Sequence, residues 1–129
     1  MNGERILIVE DNAKNMKLVR DVLEHHGYVI AAAISAEDAL SAVAEQAPNL
    51  ILMDISLPGM SGFDALERLR GDPATDSIPV CALTAFAMTE DRERCLRAGF
   101  DGYLVKPIDV AAFPGQIRGL LDRRAEGRS

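Results

Sequence analysis

The stretch LILMDISLPGMSG, Leu50–Gly62, decides the fold. Leu50–Met53 is a continuous apolar run that leads straight into the carboxylate of Asp54, and a turn rich in Pro and Gly follows. A run of this kind fits a strand buried on both faces, as in a parallel sheet. Its last residue then emerges at the carboxyl edge, where open α/β sheets place their sites. Taken alone, an Asp ahead of Pro-Gly reads as a turn cap. The rest of the chain argues for more.

Working outward, apolar strands alternate with amphipathic helices. Arg5–Val9 is an apolar run ending in Glu10 and Asp11, and Asn12 is placed to cap a helix with Met16, Val19 and Leu23 on one face. Gly27 ends that helix, and Tyr28–Ala33 reads as a second strand. Ser35, with Asp38 three residues on, opens a helix whose apolar face is Ala39, Leu40, Val43 and Ala47, with Pro48 as its stop. Beyond the central strand, Phe63, Leu66 and Leu69 mark a third helix closed by Gly71 and Pro73. Pro79–Leu83 is a fourth strand ending at Thr84, and Thr89 is placed to cap a fourth helix that Gly99 ends. Gly102–Val105 is a fifth strand ending at Lys106-Pro107, and Asp109 precedes a last helix with Val110, Phe113, Ile117, Leu120 and Leu121. Pro114 and Gly115 sit badly in its first turns, so this helix is expected to start late or begin distorted. Five strand–helix units favour parallel strands with right-handed crossovers, hence a three-layer α/β sandwich of the doubly wound type.

The bulk numbers bound the function. A chain of 129 residues, 48% hydrophobic and 26% charged, forms one domain with a real core. The expectation is a domain over 1–124 and a disordered tail over 125–129. A net charge of −6 argues against nucleic acid or an anionic membrane as partner. No apolar run reaches membrane-spanning length, and the N-terminus has no export signal, so no membrane insertion and a cytoplasmic location are expected. Cys81 and Cys95 lack metal or redox spacing and read as reduced core residues. His25 and His26 diverge around a helix and suit its C-terminus better than a metal. Arg118, Arg123, Arg124 and Arg128 read as a solvated basic end.

Four strands end in polar groups: Glu10 and Asp11 at the first, Asp54 at the third, Thr84 at the fourth and Lys106 at the fifth. In a parallel sheet these ends share one edge. Crowded carboxylates repel unless a cation sits among them, and hard oxygen ligands suit Mg²⁺. A carboxylate oxygen can attack phosphorus, and an ammonium can neutralise the charge of a transferring phosphoryl group. In this reading Asp54 is the nucleophile and phosphoacceptor. Asp11 and Asp54 ligate the metal with help from Glu10. Lys106 and the Thr84 hydroxyl hold phosphoryl oxygens.

At these residues the sequence resembles the receiver (CheY-like) domains of bacterial two-component response regulators. The matching motifs are Glu10-Asp11 after ILIV, Asp54 in LILMDISLPGMSG, Thr84-Ala85 and Lys106-Pro107, and the resemblance runs from about Arg5 to Leu121. The runs VEDNAKNMKLV and LTAFAM look like the stand-alone DivK-type regulators of bacterial cell-cycle control. The resemblance implies a flavodoxin-like sheet in strand order 2-1-3-4-5. It implies phosphoryl transfer to Asp54 from a sensor histidine kinase or a histidine phosphotransfer protein. It also implies a metal ligand in the Ser56 backbone carbonyl, a phosphoryl contact at Ala85 and a cis bond at Lys106-Pro107. Thr84 and Tyr103 form the implied switch pair. Output is expected at a face of the fourth helix, fifth strand and fifth helix, including Phe86, Met88 and Tyr103, that meets a downstream protein. Ser56 and Phe86, two residues after Asp54 and Thr84, hold the flanking positions that help set phosphate lifetime in the family, and Phe86 is expected either to shield the acyl phosphate or to contact a partner. Because the chain ends soon after the last helix, output is expected through a partner.

Two other functions compete. One is a Mg²⁺-dependent phosphohydrolase with an aspartyl-phosphate intermediate. Phosphatases of the haloacid dehalogenase type place an acid two residues past the nucleophile, where this chain has Ser56. The other is a scaffold receiver that is never phosphorylated, against which the intact set Asp11, Asp54, Thr84 and Lys106 argues.

Overall fold

A computed structural model describes residues 3–57, 59–85 and 89–127. Among these, strands and helices alternate in the order β1 (Arg5–Val9), α1 (Ala13–His25), β2 (Val29–Ala33), α2 (Ala36–Glu45), β3 (Leu50–Asp54), α3 (Gly62–Arg70), β4 (Val80–Thr84), α4 (Thr89–Ala98), β5 (Gly102–Val105) and α5 (Phe113–Gly127). The strands are all parallel and lie in the order β2-β1-β3-β4-β5. This is the flavodoxin-like doubly wound sheet, with its topological switch between β1 and β3.

The pleat divides the core into two layers, because alternate strand residues face opposite ways. Leu7, Val9, Ile51, Met53, Val80 and Ala82 pack with α2, α3 and α4 residues such as Ala39, Leu66 and Cys95. Ile6, Ile8, Leu50, Leu52, Cys81 and Leu83 pack with α1 and α5 through Val19, Leu23, Phe113 and Ile117. Strand β3 is buried along its whole length, as its unbroken apolar run requires. Truncating Leu52 to Ala there is expected to cost about 2–5 kcal/mol. Both cysteines are buried free thiols, and burial pushes the Cys81 thiol well up.

The caps follow local chemistry. Asn12 accepts from the Asn15 amide at 3.0 Å, and Ser35 accepts from the Asp38 amide at 3.1 Å. Ser61 and Asp64 form a reciprocal capping box on α3. Gly27, at φ 90°, turns the chain out of α1 in a conformation that disfavours side chains.

Several element edges differ from the sequence reading. Strand β2 starts at Val29, because the Tyr28 amide still closes α1 by donating to the Leu23 carbonyl at 3.2 Å. Strand β4 starts at Val80, since Pro79 has no amide to donate. Ala47 lies beyond α2 and is exposed; as the residue before Pro48 it is disfavoured in helix. Val110 is not on the last helix and is 52% exposed. Asp109 Oδ1 instead accepts from the amides of Ala111 and Ala112 in a turn, and α5 begins at Phe113. Pro114 then falls in the first turn, where its missing donor is not needed. Helix α5 continues to Gly127. Arg118 is no solvated end: its guanidinium bonds both Glu4 carboxylate oxygens, at 3.3 and 2.7 Å, and also meets Tyr28 and Asp122. The His25 and His26 rings meet edge-on, 5.5 Å apart at the end of α1. Phe86, Met88 and Arg128 lie outside the described residues. Among the described residues, no helix is long and apolar enough to cross a membrane.

Candidate functional site

The register of the sheet brings the polar strand ends to one rim. Val9 pairs with Met53, Asp54 with Leu83, and Thr84 with Val105, so Glu10, Asp54, Thr84 and Lys106 stand at neighbouring carboxyl ends. Carboxylate oxygens of Glu10, Asp11 and Asp54 lie within 4.8 Å of one another. Glu10 and Asp54 are buried, whereas Asp11 is exposed and opens the cluster to solvent.

Each oxygen of the two buried acids has a partner. The Lys106 ammonium reaches from the end of β5 to Asp54 Oδ2 at 2.9 Å and to Glu10 Oε1 at 3.1 Å. Asp54 Oδ1 accepts from the Ser56 amide at 2.8 Å, and Glu10 Oε2 accepts from the Asn12 amide at 3.1 Å. Burial pushes the Glu10 carboxyl up, helped by the Asp54 charge and opposed by the Asn12 amide and Lys106. Burial acts to lower Lys106, but hydrogen bonds and charge from Asp54 and Glu10 outweigh it and leave the ammonium pKa raised. The cluster therefore holds one fixed cation among three acids.

The donor set fits a hard divalent ion. Three carboxylates, one of them open to water, give the oxygen-rich, part-hydrated surroundings that Mg²⁺ prefers. Local acid outnumbers local base, so a second cation would relieve repulsion.

The remaining expected positions fall around this cluster. Thr84 is fully buried at the end of β4, and its carbonyl accepts from the Lys106 amide at 2.7 Å. Ala85 is exposed at the bend that follows. Ser56 is exposed two residues beyond Asp54. The Lys106-Pro107 bond is cis. Tyr103 is half-buried on β5 and packs on the α2–α4 layer. It pairs with Ala82, two residues before Thr84 on the same face of β4, so Tyr103 and Thr84 are diagonal neighbours on the side of α4.

Sequence reasoning missed three features. The Lys106–Glu10 contact spans 96 residues and has no local signature. The Ser56 amide on Asp54 could have been read as an Asx turn, since Asp and Asn often accept from the amide two residues on. Gly62 carries no local signal of its surroundings, yet a Cβ on it would stand 2.9 Å from the Asp54 carbonyl oxygen.

Comparison with known proteins agrees with this geometry. The family model of the response regulator receiver domain matches residues 6–118. The polar-differentiation response regulator DivK of Brucella ovis is 45% identical over 116 residues, covering 90% of this chain and 94% of that protein. A solved CheY-like response regulator receiver domain protein from Methanospirillum hungatei superposes with a TM-score of 0.86 at 30% identity, over 97% of this chain and 98% of that one. The receiver domain of a sensor histidine kinase from Pseudomonas aeruginosa, solved with a magnesium ion coordinated in its active site cleft, gives 0.85 at 33% identity, over 93% of this chain and 98% of its own. With the acids at the switch point of a 2-1-3-4-5 sheet and a relative of this similarity along nearly its whole length, the chain belongs to the response regulator receiver domain family.

Proposed function

We propose that this chain is a single-domain response regulator of the DivK type that accepts a phosphoryl group on Asp54. The observation that carries the reading is the Asp54 carboxylate, buried at a strand end, bonded to Lys106 at 2.9 Å and clustered with Glu10 and Asp11. In the proposed step an Asp54 oxygen bonds to phosphorus as the bond from phosphorus to a histidine nitrogen breaks. The nitrogen leaves with the electron pair, and because the other ring nitrogen of the phosphohistidine carries a proton the histidine leaves as neutral imidazole. Lys106 swings its positive charge from Asp54 onto a phosphoryl oxygen, while the Thr84 hydroxyl and the Ala85 backbone take others. Glu10, Asp11, Asp54 and the Ser56 carbonyl would hold Mg²⁺, whose charge offsets that of the phosphoryl oxygens.

Residues 1–124 form the proposed receiver unit. The donor is a histidine kinase or a histidine phosphotransfer protein of the cytoplasm. The output is a changed affinity for a protein at the face of α4, β5 and α5, with Thr84 and Tyr103 as the switch pair. Phosphorylation shifts a balance between existing arrangements of that pair.

Incubation with acetyl phosphate and Mg²⁺, followed by intact-protein mass, tests the reading. The parent gains one phosphoryl group and Asp54→Asn gains none. Equal labelling of both removes Asp54 from the role. Sustained release of phosphate over many turnovers would instead favour a phosphohydrolase.

A further inference from the structure

We propose that Gly62 is a positioning residue for the phosphoacceptor: its missing side chain lets α3 abut the backbone that carries Asp54, and that contact fixes where the Ser56 peptide points. The proposal rests on the reading of Asp54 as the acceptor. A Cβ at Gly62 would lie 2.9 Å from the Asp54 carbonyl oxygen, 2.9 Å from Ile55 Cα and 3.1 Å from Met53 Cγ. Two of these are backbone atoms, which cannot turn aside as a side chain would. Gly62 has no left-handed φ, so steric room and not backbone freedom explains the glycine. Glycine also costs helix stability relative to alanine. In open sites that cost is unopposed: Gly115 and Gly119 of α5 have nothing within 4 Å of a built Cβ.

Both sides of the contact are anchored, α3 in the core and the other side at Ile55. Ile55 is tied to β4, because its amide donates to the Leu83 carbonyl at 3.1 Å. Helix α3 is tied by its capping box and by Ala65, Leu66 and Leu69 in the core. Phe63 next to Gly62 packs edge-on against Phe100, ring centres 5.6 Å apart, and carries the Arg94 guanidinium 4.3 Å above its ring. An added Cβ would therefore push on the turn beyond Ile55. That turn supplies the Ser56 amide on Asp54 Oδ1, at 2.8 Å, and the proposed Ser56 carbonyl ligand.

The test compares the full-length parent with Gly62→Ala, Ser61→Ala and Gly119→Ala. Ser61→Ala removes the cap and frays the first turn of α3 without adding an atom beside Asp54. Three quantities are read: the Ser56 and Asp54 amide shifts without metal, Mg²⁺ half-saturation from the same shifts, and the acetyl phosphate labelling rate at saturating Mg²⁺. A 1 Å misplacement can cost about a hundredfold in rate, so a shift of a few tenths of an ångström predicts about a tenfold loss in labelling for Gly62→Ala, with a measurable weakening of Mg²⁺ binding beside it. Ser61→Ala moves the same amides and weakens Mg²⁺ by a smaller factor, and Gly119→Ala leaves both unchanged while raising the melting temperature. If Gly62→Ala does not fold, Ser61→Ala decides. Parent-like Mg²⁺ binding and labelling in the folded variants would reduce Gly62 to packing and overturn the proposal. A parent chain that takes up no phosphoryl group would overturn the acceptor reading instead.

Discussion

Replacing Lys106 by Met removes an ammonium that faces two buried acids. In the structure it lies 2.9 Å from Asp54 and 3.1 Å from Glu10, with side-chain exposures of 14% for Lys106, 4% for Asp54 and 1% for Glu10. Removing one partner of a buried ion pair typically costs about 3–5 kcal/mol, because the other charge is left uncompensated. Two features reduce that figure here. Exposed Asp11 lets water reach the rim, and Glu10, already pushed up by burial, takes up a proton more readily than an ordinary carboxyl. A net loss of about 2 kcal/mol follows, or about 6–10 °C in melting temperature for a domain of this size. Differential scanning calorimetry in EDTA measures it. Saturating Mg²⁺ then narrows the gap, since the ion binds the native state, offsets the same carboxylates and no longer meets a competing ammonium. Melting temperatures within about 1 °C of each other in EDTA would refute the reasoning, given that one kcal/mol corresponds to several degrees. So would equal Mg²⁺-induced rises in parent and variant.

Three further outcomes are expected. Arg70 donates to the carbonyls of Asp76, Ile78 and Gly99 and to Asp101 Oδ2, which also accepts from the Val80 amide; Arg70→Met should lower stability by about 2 kcal/mol without changing Mg²⁺ affinity, measured by urea melts and Mg²⁺ titration. The Arg118 hydrogen bond holds Glu4 below its ordinary 4.5, so the pair contributes above that pH and loses its effect as pH falls through the lowered native value; Glu4→Gln should cost about 0.5–1 kcal/mol at pH 7 after solvent screening, and nothing in strong acid, by urea melts across pH. Tyr103→Ala should leave the extent of acetyl phosphate labelling unchanged but shrink the phosphorylation-dependent amide shifts along α4; full-sized shifts would remove Tyr103 from the switch.

The sheet was legible because β3 is apolar without a break and because four strands stop at polar residues. Parallel connection then made Glu10, Asp54, Thr84 and Lys106 neighbours without any knowledge of side-chain positions. That the start of α5 is irregular was legible in Pro114, but not whether the helix starts late or begins distorted; the turn held by Asp109 makes it a late start. What escaped the sequence is pairing between distant elements. Arg118 with Glu4 and Tyr28, Arg70 with Asp101, and Lys106 with Glu10 depend on where long side chains settle after the layers pack. Gly62 escaped for a related reason: a glycine's neighbours decide its role, and those neighbours are backbone atoms of another element. Val110 misled because one apolar residue at helical spacing does not show that a turn has become a helix.

Paramagnetic broadening by Mn²⁺ in an amide spectrum tests the convergence at the rim most directly. Trace Mn²⁺ should broaden amides near residues 10–11, 54–56, 84–85 and 106, from four separate strand ends at once, and excess Mg²⁺ should restore them. Broadening spread over the exposed acids of α2 and α4, with those four ends sharp, would contradict the account.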